Sequence, residues 1–262
     1  MSLFLNMLKI QIASDLHLEF LENREWIDKN PLIPKGNILL LAGDIVPDKY
    51  KQKAEKFYQK ISTAFPTIIS AMGNHEFYHG IVSYAYPRYS SKISNNHFRL
   101  NNSSLIIHNI KFIVSTLWSD IQEKERGPIE SSMNDYKLIK DKDAYGEKLP
   151  LTVEKVKQYH RLSLAFLKTE VEKPFAGKIV VMTHHLPSYA CITGTYQLIN
   201  SAYATNLDLF IISHPQISLW VCGHAHGFSD IQIGSTRIVR NTVGYVQDGQ
   251  HQSFRRDFVV EV

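Results

Sequence analysis

Cysteine is nearly missing from this chain: Cys191 and Cys222 are the only two in 262 residues, far apart and without metal-type spacing. That excludes a disulfide framework and a thiolate metal cluster, and it points to a reducing, cytoplasmic setting. Long apolar runs are missing too. No segment reaches the roughly 18 to 20 apolar residues that a membrane helix needs, so no membrane partner is expected. The opening residues 1–7 are apolar only in patches, broken by Asn6 and followed by Lys9, and do not read as a signal peptide. Nowhere do five like charges adjoin, and the net charge is +4 with a pI near 8.9. That balance suits anionic substrates and advertises no nucleic-acid-binding arm. With no repeat, low-complexity stretch or convincing linker, residues 1–262 read as a single α/β domain with a sizeable core.

What the chain does have is a series of short, β-branched apolar runs, most of them ending in a polar cluster. Residues 8–14 lead to Asp15, 37–42 stop at Gly43, and 67–72 stop at Gly73. Residues 111–118 form another run, 178–182 lead to Thr183-His184, and 217–221 precede Gly223. Runs that are apolar throughout suit strands buried on both faces. Between them, residues 51–64 carry a helical stripe of Ala54, Phe57, Tyr58, Ile61 and Phe65. Residues 153–171 carry a second, with Thr152 as N-cap and Pro174 as stop. Strand–helix alternation predicts parallel pairing with right-handed crossovers. Residues 230–233, 236–240 and 254–262 predict further strands and an antiparallel end. Residues 119–150 are polar and weakly periodic; both a cap over a pocket and a solvated excursion fit them.

The polar clusters are Asp15-Leu16-His17, Gly43-Asp44, Gly73-Asn74-His75-Glu76, His184-His185 and Gly223-His224-Ala225-His226. At a strand end, residues i and i+2 point to one side, so Asp15 and His17 can reach one cation, and His224 and His226 can aim at neighbouring ions. Carboxylate, imidazole and amide oxygen without thiolate form a borderline-hard donor set that fits Mn, Fe, Zn, Co or Ni, and not a closed structural zinc site. A carboxylate with two oxygens can bridge two neighbouring cations.

This series, in this order, resembles the calcineurin-like metallophosphoesterase superfamily, and the resemblance runs from Asp15 to His226. It implies a four-layer α/β/β/α sandwich of two mixed sheets flanked by helices, with metals at the C-terminal strand ends. It implies two divalent or trivalent ions, such as Mn2+, Fe, Zn2+ or Ni2+, and hydrolysis of phosphate monoesters or diesters by a bridging hydroxide. Asp15, His17 and His226 would hold one ion, Asn74, His184 and His224 the other, and Asp44 both. His75 would be the non-ligand imidazole that protonates the leaving alkoxide or steadies the transition-state charge. His185 would line the pocket or support a ligand from outside. Asn134 to Ile139, Trp220 and the stretch from Asn241 to Tyr245 resemble a set of small bacterial phosphoesterases, and Asn241 could approach substrate there or serve as a turn residue.

The chain departs from the protein phosphatases of this superfamily. These carry an Asp three residues after the bridging one, followed by Arg, to orient the catalytic His. Here Ile-Val-Pro follows Asp44 and Asp48 comes fourth, either orienting His75 or capping a helix near Tyr50. The aromatic group of Phe77, Tyr78, Tyr84, Tyr86 and Tyr89 reads as a satellite core or a stacking surface, and the remaining histidines as packing or surface residues. The expected partner is a small phosphate ester. A nuclease is the alternative within enzymes, and a non-catalytic scaffold of the same fold is the alternative outside them.

Overall fold

The computed structural model describes residues 8–192 and 198–262. Fourteen strands and seven α-helices are present among these residues. The first sheet contains β1 (Lys9–Ala13), β2 (Ile38–Leu41), β3 (Thr67–Ala71), β4 (Tyr89–Ser94), β5 (His97–Asn101) and β14 (Val259–Glu261), in the order β14-β1-β2-β3-β5-β4. The second contains β6 (Ser103–Ile107), β7 (Ile110–Ser115), β10 (Lys178–Thr183), β11 (Ile217–Cys222), β12 (Phe228–Ile233) and β13 (Thr236–Asn241), in the order β12-β13-β11-β10-β7-β6. Each sheet has four parallel strands at its centre and one antiparallel strand at each edge. The remaining two strands, β8 (Lys140–Lys142) and β9 (Lys148–Pro150), form a separate hairpin.

Strand periodicity decides the layers. Alternate residues Ile10, Ile12, Leu40 and Ile69 of the first sheet meet Phe112, Val114, Val180, Met182, Leu219 and Val239 of the second. The intervening residues turn outward. Leu39, Leu41 and Ile68 pack on Ile27 of α1 (Leu21–Lys29) and on Phe57 and Ile61 of α2 (Glu55–Ala64). On the other side Ile113, Val181 and Trp220 pack on Leu167 and Val171 of α5 (Val153–Glu172) and Ile211 of α7 (Asp208–Ser213). All four residues of β2 are buried, as an apolar run covered on both faces requires. Burying one such leucine stabilises by about 2 kcal/mol. The result is the four-layer α/β/β/α sandwich expected.

Several local expectations need correction. The helix expected over 51–64 begins as a 3-10 helix at Asp48–Ala54, broken at Tyr50, and becomes α-helical only at Glu55. The strand expected to reach Trp118 ends at Ser115, because Leu117 and Trp118 adopt left-handed backbone. The strand expected over 254–262 shrinks to Val259–Glu261. Thr152 does cap α5, accepting from the Lys155 N–H. Residues 119–150 hold α3 (Arg126–Ser132), α4 (Asp135–Leu138) and the β8–β9 hairpin, anchored by Ile121, Ile129 and Ile139 in an apolar cluster with Phe77 and Trp118. The short α6 (Asn200–Tyr203) packs beside them. No helix among the described residues is long and apolar enough to cross a membrane.

Candidate metal centre

All five polar clusters lie just past the C-terminal ends of central strands: Asp15 and His17 after β1, Asp44 after β2, Asn74 and His75 after β3, His184 after β10, His224 and His226 after β11. Each strand carries its cluster to the same rim because the eight central strands run parallel within their sheets. The sheets join there: Ser14 bridges to Thr242, and the Gly244 N–H donates to Asp15 at 3.0 Å. Four of the seven expected ligands have positive φ: Asp15 at 53°, His17 at 47°, Asp44 at 54° and His224 at 65°. Each such residue costs on the order of 1 kcal/mol or more, a strain that collects at functional sites. Close approach also dictates the glycines. A Cβ on Gly73 would drive into the Asp44 carboxylate, and one on Gly223 would sit 2.6 Å from Asp15 Oδ2.

The donors converge. His226 Nε2 lies 3.5 Å from Asp15 Oδ1 and 3.1 Å from His17 Nε2. Asp44 Oδ2 is 3.4 Å from His184 Nε2, 3.9 Å from His75 Nε2 and 4.0 Å from His17 Nε2. His184 Nε2 is 2.9 Å from Asn74 Oδ1. Asp15, His17 and His226 form one group with metal-binding geometry, and Asp44, His184 and His224 another; Asp44 with His17 and His75 is a third. All seven positions are thus brought together, and all but the half-buried His226 are buried.

Tautomers reveal what the arrangement is built for. His184 Nδ1 bonds the Ala42 carbonyl at 2.8 Å, His17 Nδ1 bonds Glu19 Oε1 at 3.3 Å, and His226 Nδ1 bonds Gln250 Oε1. Each partner is an acceptor, so each Nδ1 carries the hydrogen and each Nε2 is left with a lone pair. Those lone pairs face one another (His17 with His226) or face acceptor oxygens (His184 with Asn74 and Asp44). Such contacts repel unless a cation or a proton lies between them. His224 Nε2 is buried and has no partner among the described residues. A thiolate-free set of imidazoles, carboxylates and an amide oxygen, fixed from outside in this way, fits divalent metal.

Charges follow the same geometry. Burial pulls His184 down, but the Asp44 carboxylate outweighs it and raises His184 to about 10, so without metal a proton occupies Nε2 between the ring and the oxygens of Asn74 and Asp44. Burial likewise opposes His75, which Asp44 and Glu19 raise to about 9. His224 is driven well below its ordinary value by burial and by His185 and His184.

Several supporting residues were not foreseen. Glu19 Oε1 lies 2.6 Å from His75 Nδ1, so Glu19, not Asp48, orients His75. Asp48 instead binds Arg99 at 2.6 Å and Tyr84, and makes no helix-capping bond. Glu76 accepts the N–H groups of Asp44 and Ile45, both at 2.9 Å, and of Gly73 at 2.6 Å, tying the second and third ligand loops together. Asp135 accepts from Asn74 Nδ2 at 2.8 Å and Tyr78 OH at 2.9 Å, which turns the Asn74 oxygen toward His184. Asn241 does not reach the cavity. Its Nδ2 donates to the carbonyls of Ile12 and Arg255, both at 2.8 Å. His185 bonds the Thr116 carbonyl at 3.2 Å and packs on His224 at 4.2 Å between ring centres, a supporting position behind the ligands. Phe77 and Tyr78 belong to a buried apolar cluster, and the Tyr78 ring stacks on His75 at 4.0 Å.

A cavity of about 240 Å³ opens over Asp44, Asn74, His75 and His224. Met133 and Asn134 from the 119–150 segment, with Tyr203 and Tyr245, form its walls. The segment therefore does border the site. Tyr245 OH lies 3.4 Å from His75 Nε2.

An uncharacterized protein of Acanthamoeba polyphaga mimivirus is 30% identical over 264 residues, covering 90% of this chain and 91% of its own length. Among solved structures, phosphopantetheinyl hydrolase from Mycobacterium tuberculosis superposes with a TM-score of 0.68 at 15% identity, covering 98% of this chain and 96% of that one. This likeness concerns the fold. The family model described as calcineurin-like phosphoesterase matches residues 8–228, from β1 to the start of β12. With its two mixed sheets and its histidine and aspartate clusters, the chain belongs to the calcineurin-like phosphoesterase family.

Proposed function

We propose that the protein is a metal-dependent hydrolase of phosphate esters, monoesters or diesters, working with two divalent ions. The observation that carries this reading is the set of Nε2 atoms of His17, His184 and His226, each fixed through Nδ1, with those of His17 and His184 within 4.0 Å of Asp44 Oδ2 and that of His226 beside His17 and Asp15. Asp15, His17 and His226 would hold one ion, Asn74, His184 and His224 the other, with Asp44 shared. The donor set suits Mn2+, Fe, Zn2+ or Ni2+. When bound, such ions would lower the pKa of an attacking water and neutralise charge on a phosphoryl group.

The chain supplies the rest. Glu19 holds the hydrogen on His75 Nδ1, which orients Nε2 into the cavity beside Asp44 and Tyr245. From there His75 Nε2 can give its proton to the departing oxygen, and the Glu19 carboxylate steadies the imidazolium until it does. Tyr78, stacked on the His75 ring, limits its rotation. The walls formed by Met133, Tyr203 and Tyr245 shed water from around the ester.

The test is hydrolysis of p-nitrophenyl phosphate and bis-p-nitrophenyl phosphate. Activity should vanish with a chelator and return with Mn2+ or a similar ion. His75→Gln should keep its metal while the rate falls roughly 10² to 10⁴-fold, the range of acid–base contributions. Hydrolysis that ignores the chelator would defeat the proposal, and full activity in His75→Gln would remove His75 from its role.

A further inference from the structure

The sequence shows no run of basic residues, yet the fold builds a basic patch. Lys49 from the 3-10 helix after Asp44, Lys137 from α4, Lys140 and Lys142 from β8 and Lys148 from β9 line one cavity of about 790 Å³. No carboxylate lines it. Among the described residues, none of the five ammonium groups makes a hydrogen bond or an ion pair; Lys49 only approaches the Tyr50 ring, at 5.7 Å. Lys142 and Lys148 face each other directly across the hairpin. Like charges at that position destabilise a strand pair, so the sheet itself gains nothing from them. Between Lys140 and Lys142, Asp141 is buried and paired with Lys155 at 3.5 Å, while its two lysine neighbours point the other way and stay exposed.

Two exposed tyrosines flank the lysines. Tyr84 lines the cavity with 44% of its surface exposed, and Tyr145, between Lys142 and Lys148 at the hairpin tip, is 92% exposed. Besides Asp141, the acids of the hairpin are Asp143 and Glu147. Asp143 is occupied with the backbone N–H groups of Tyr145 and Glu147, at 2.9 and 2.8 Å. The cavity also shares a wall with the metal centre. Tyr78 and Asn134 face the small cavity over Asp44, while their neighbours His79, Lys137 and Leu138 face the lysine cavity.

Lysines are flexible point charges without the planar fork that reads carboxylates in pairs, and lysines interleaved with exposed aromatic rings suit a phosphate backbone with bases free to stack. We propose that this cavity is a binding site for single-stranded nucleic acid, next to but separate from the metal centre. Binding there does not require hydrolysis. That the bound strand is also cut would rest on the phosphoesterase reading above.

The experiment is fluorescence anisotropy of a short labelled oligothymidylate with the full chain in chelator, where metal at the Asp44 centre contributes nothing. The wild type should bind, with log affinity falling against log salt at a slope of about −2 to −3.5, or about 0.7 per lysine for three to five lysines. Lys140→Glu, Lys142→Glu and Lys148→Glu together should cut affinity at least about tenfold and flatten the slope by about 2. Hydrolysis of bis-p-nitrophenyl phosphate by the metal-loaded variant should be unchanged, which shows it folded. The same three lysines changed to Gln provide the measurement if the reversal does not fold. Wild-type affinity and slope in the variant would overturn the proposal, as would no binding by the wild type. Tighter binding of a polyglutamate of equal charge would also overturn it, in favour of an acidic protein surface. Loss of ester hydrolysis in the wild type with oligonucleotide binding intact would defeat the phosphoesterase reading alone.

Discussion

Glu19 is one carboxylate shared by two histidines, and its removal has a size that follows from the geometry. Its Oε1 lies 2.6 Å from His75 Nδ1 and 3.3 Å from His17 Nδ1. Burial pushes Glu19 up, but the hydrogen bonds from these two imidazoles outweigh it and bring its pKa from 4.5 to about 2. That fall corresponds to about 3 kcal/mol of interaction favouring the ionised form in the folded chain. The rise of His75 reports part of the same pairing from the other side and is not added to it. Glu19→Gln keeps the shape and an acceptor but removes the charge, and a neutral hydrogen bond retains roughly half the strength of a charged one. The expected loss of stability is therefore about 1.5 to 2 kcal/mol at pH 7 without metal. Because the folded pKa is depressed, this contribution is complete above pH 4.5 and disappears as pH falls through about 2. Urea unfolding of both proteins in chelator, at pH 7 and at steps below pH 4.5, reads it directly. Equal stability at pH 7 would refute the reasoning. So would a difference that fails to narrow in acid. In the metal-loaded enzyme the same variant should lose about tenfold in kcat, since 1.4 kcal/mol of proton-transfer support is a factor of ten.

Other substitutions separate support from ligation. Asp135→Ala frees the Asn74 amide to rotate, so affinity for one of two metals should fall about 10 to 100-fold while the other is retained, measured by calorimetric titration; two unchanged binding events would contradict this. Glu76→Ala strands three buried N–H groups at Gly73, Asp44 and Ile45, each worth about 1 kcal/mol or more, and should lower the unfolding free energy by about 3 kcal/mol or more in urea. A loss below 1 kcal/mol would show that those loops are held by other means.

The parts of this molecule that could be read from its sequence are those whose signal is local. Strands such as β2 are apolar on both faces, so a run of Ile-Leu-Leu-Leu ending in Ala-Gly-Asp marks both the element and the ligand after it. The ligand clusters are two to four residues long, equally local. Helix α1 escaped notice because only Asn23 and Ile27 of its nine residues are buried, leaving no apolar stripe. Strand β4 buries none of its residues fully and offers no alternation to read. The partners of the ligands are long-range facts: Glu19 reaches His75 across 56 residues and Asp135 reaches Asn74 across 61. Asp48 looked suited to orient His75 by its closeness to Asp44, but Arg99, 51 residues away on β5, claims its carboxylate. The lysine cavity is only partly of this kind: four of its lysines lie between Lys137 and Lys148, and the fold brings Lys49 and Tyr84 to them from far away in the sequence.

The central claim is that Asp44 joins two metal-binding groups into one centre, and metal stoichiometry tests it most directly. Plasma mass spectrometry of protein loaded with Mn2+ and freed of excess should find two ions per chain in the wild type and close to none in Asp44→Asn. A single ion in the wild type, or an unchanged count in the variant, would contradict it.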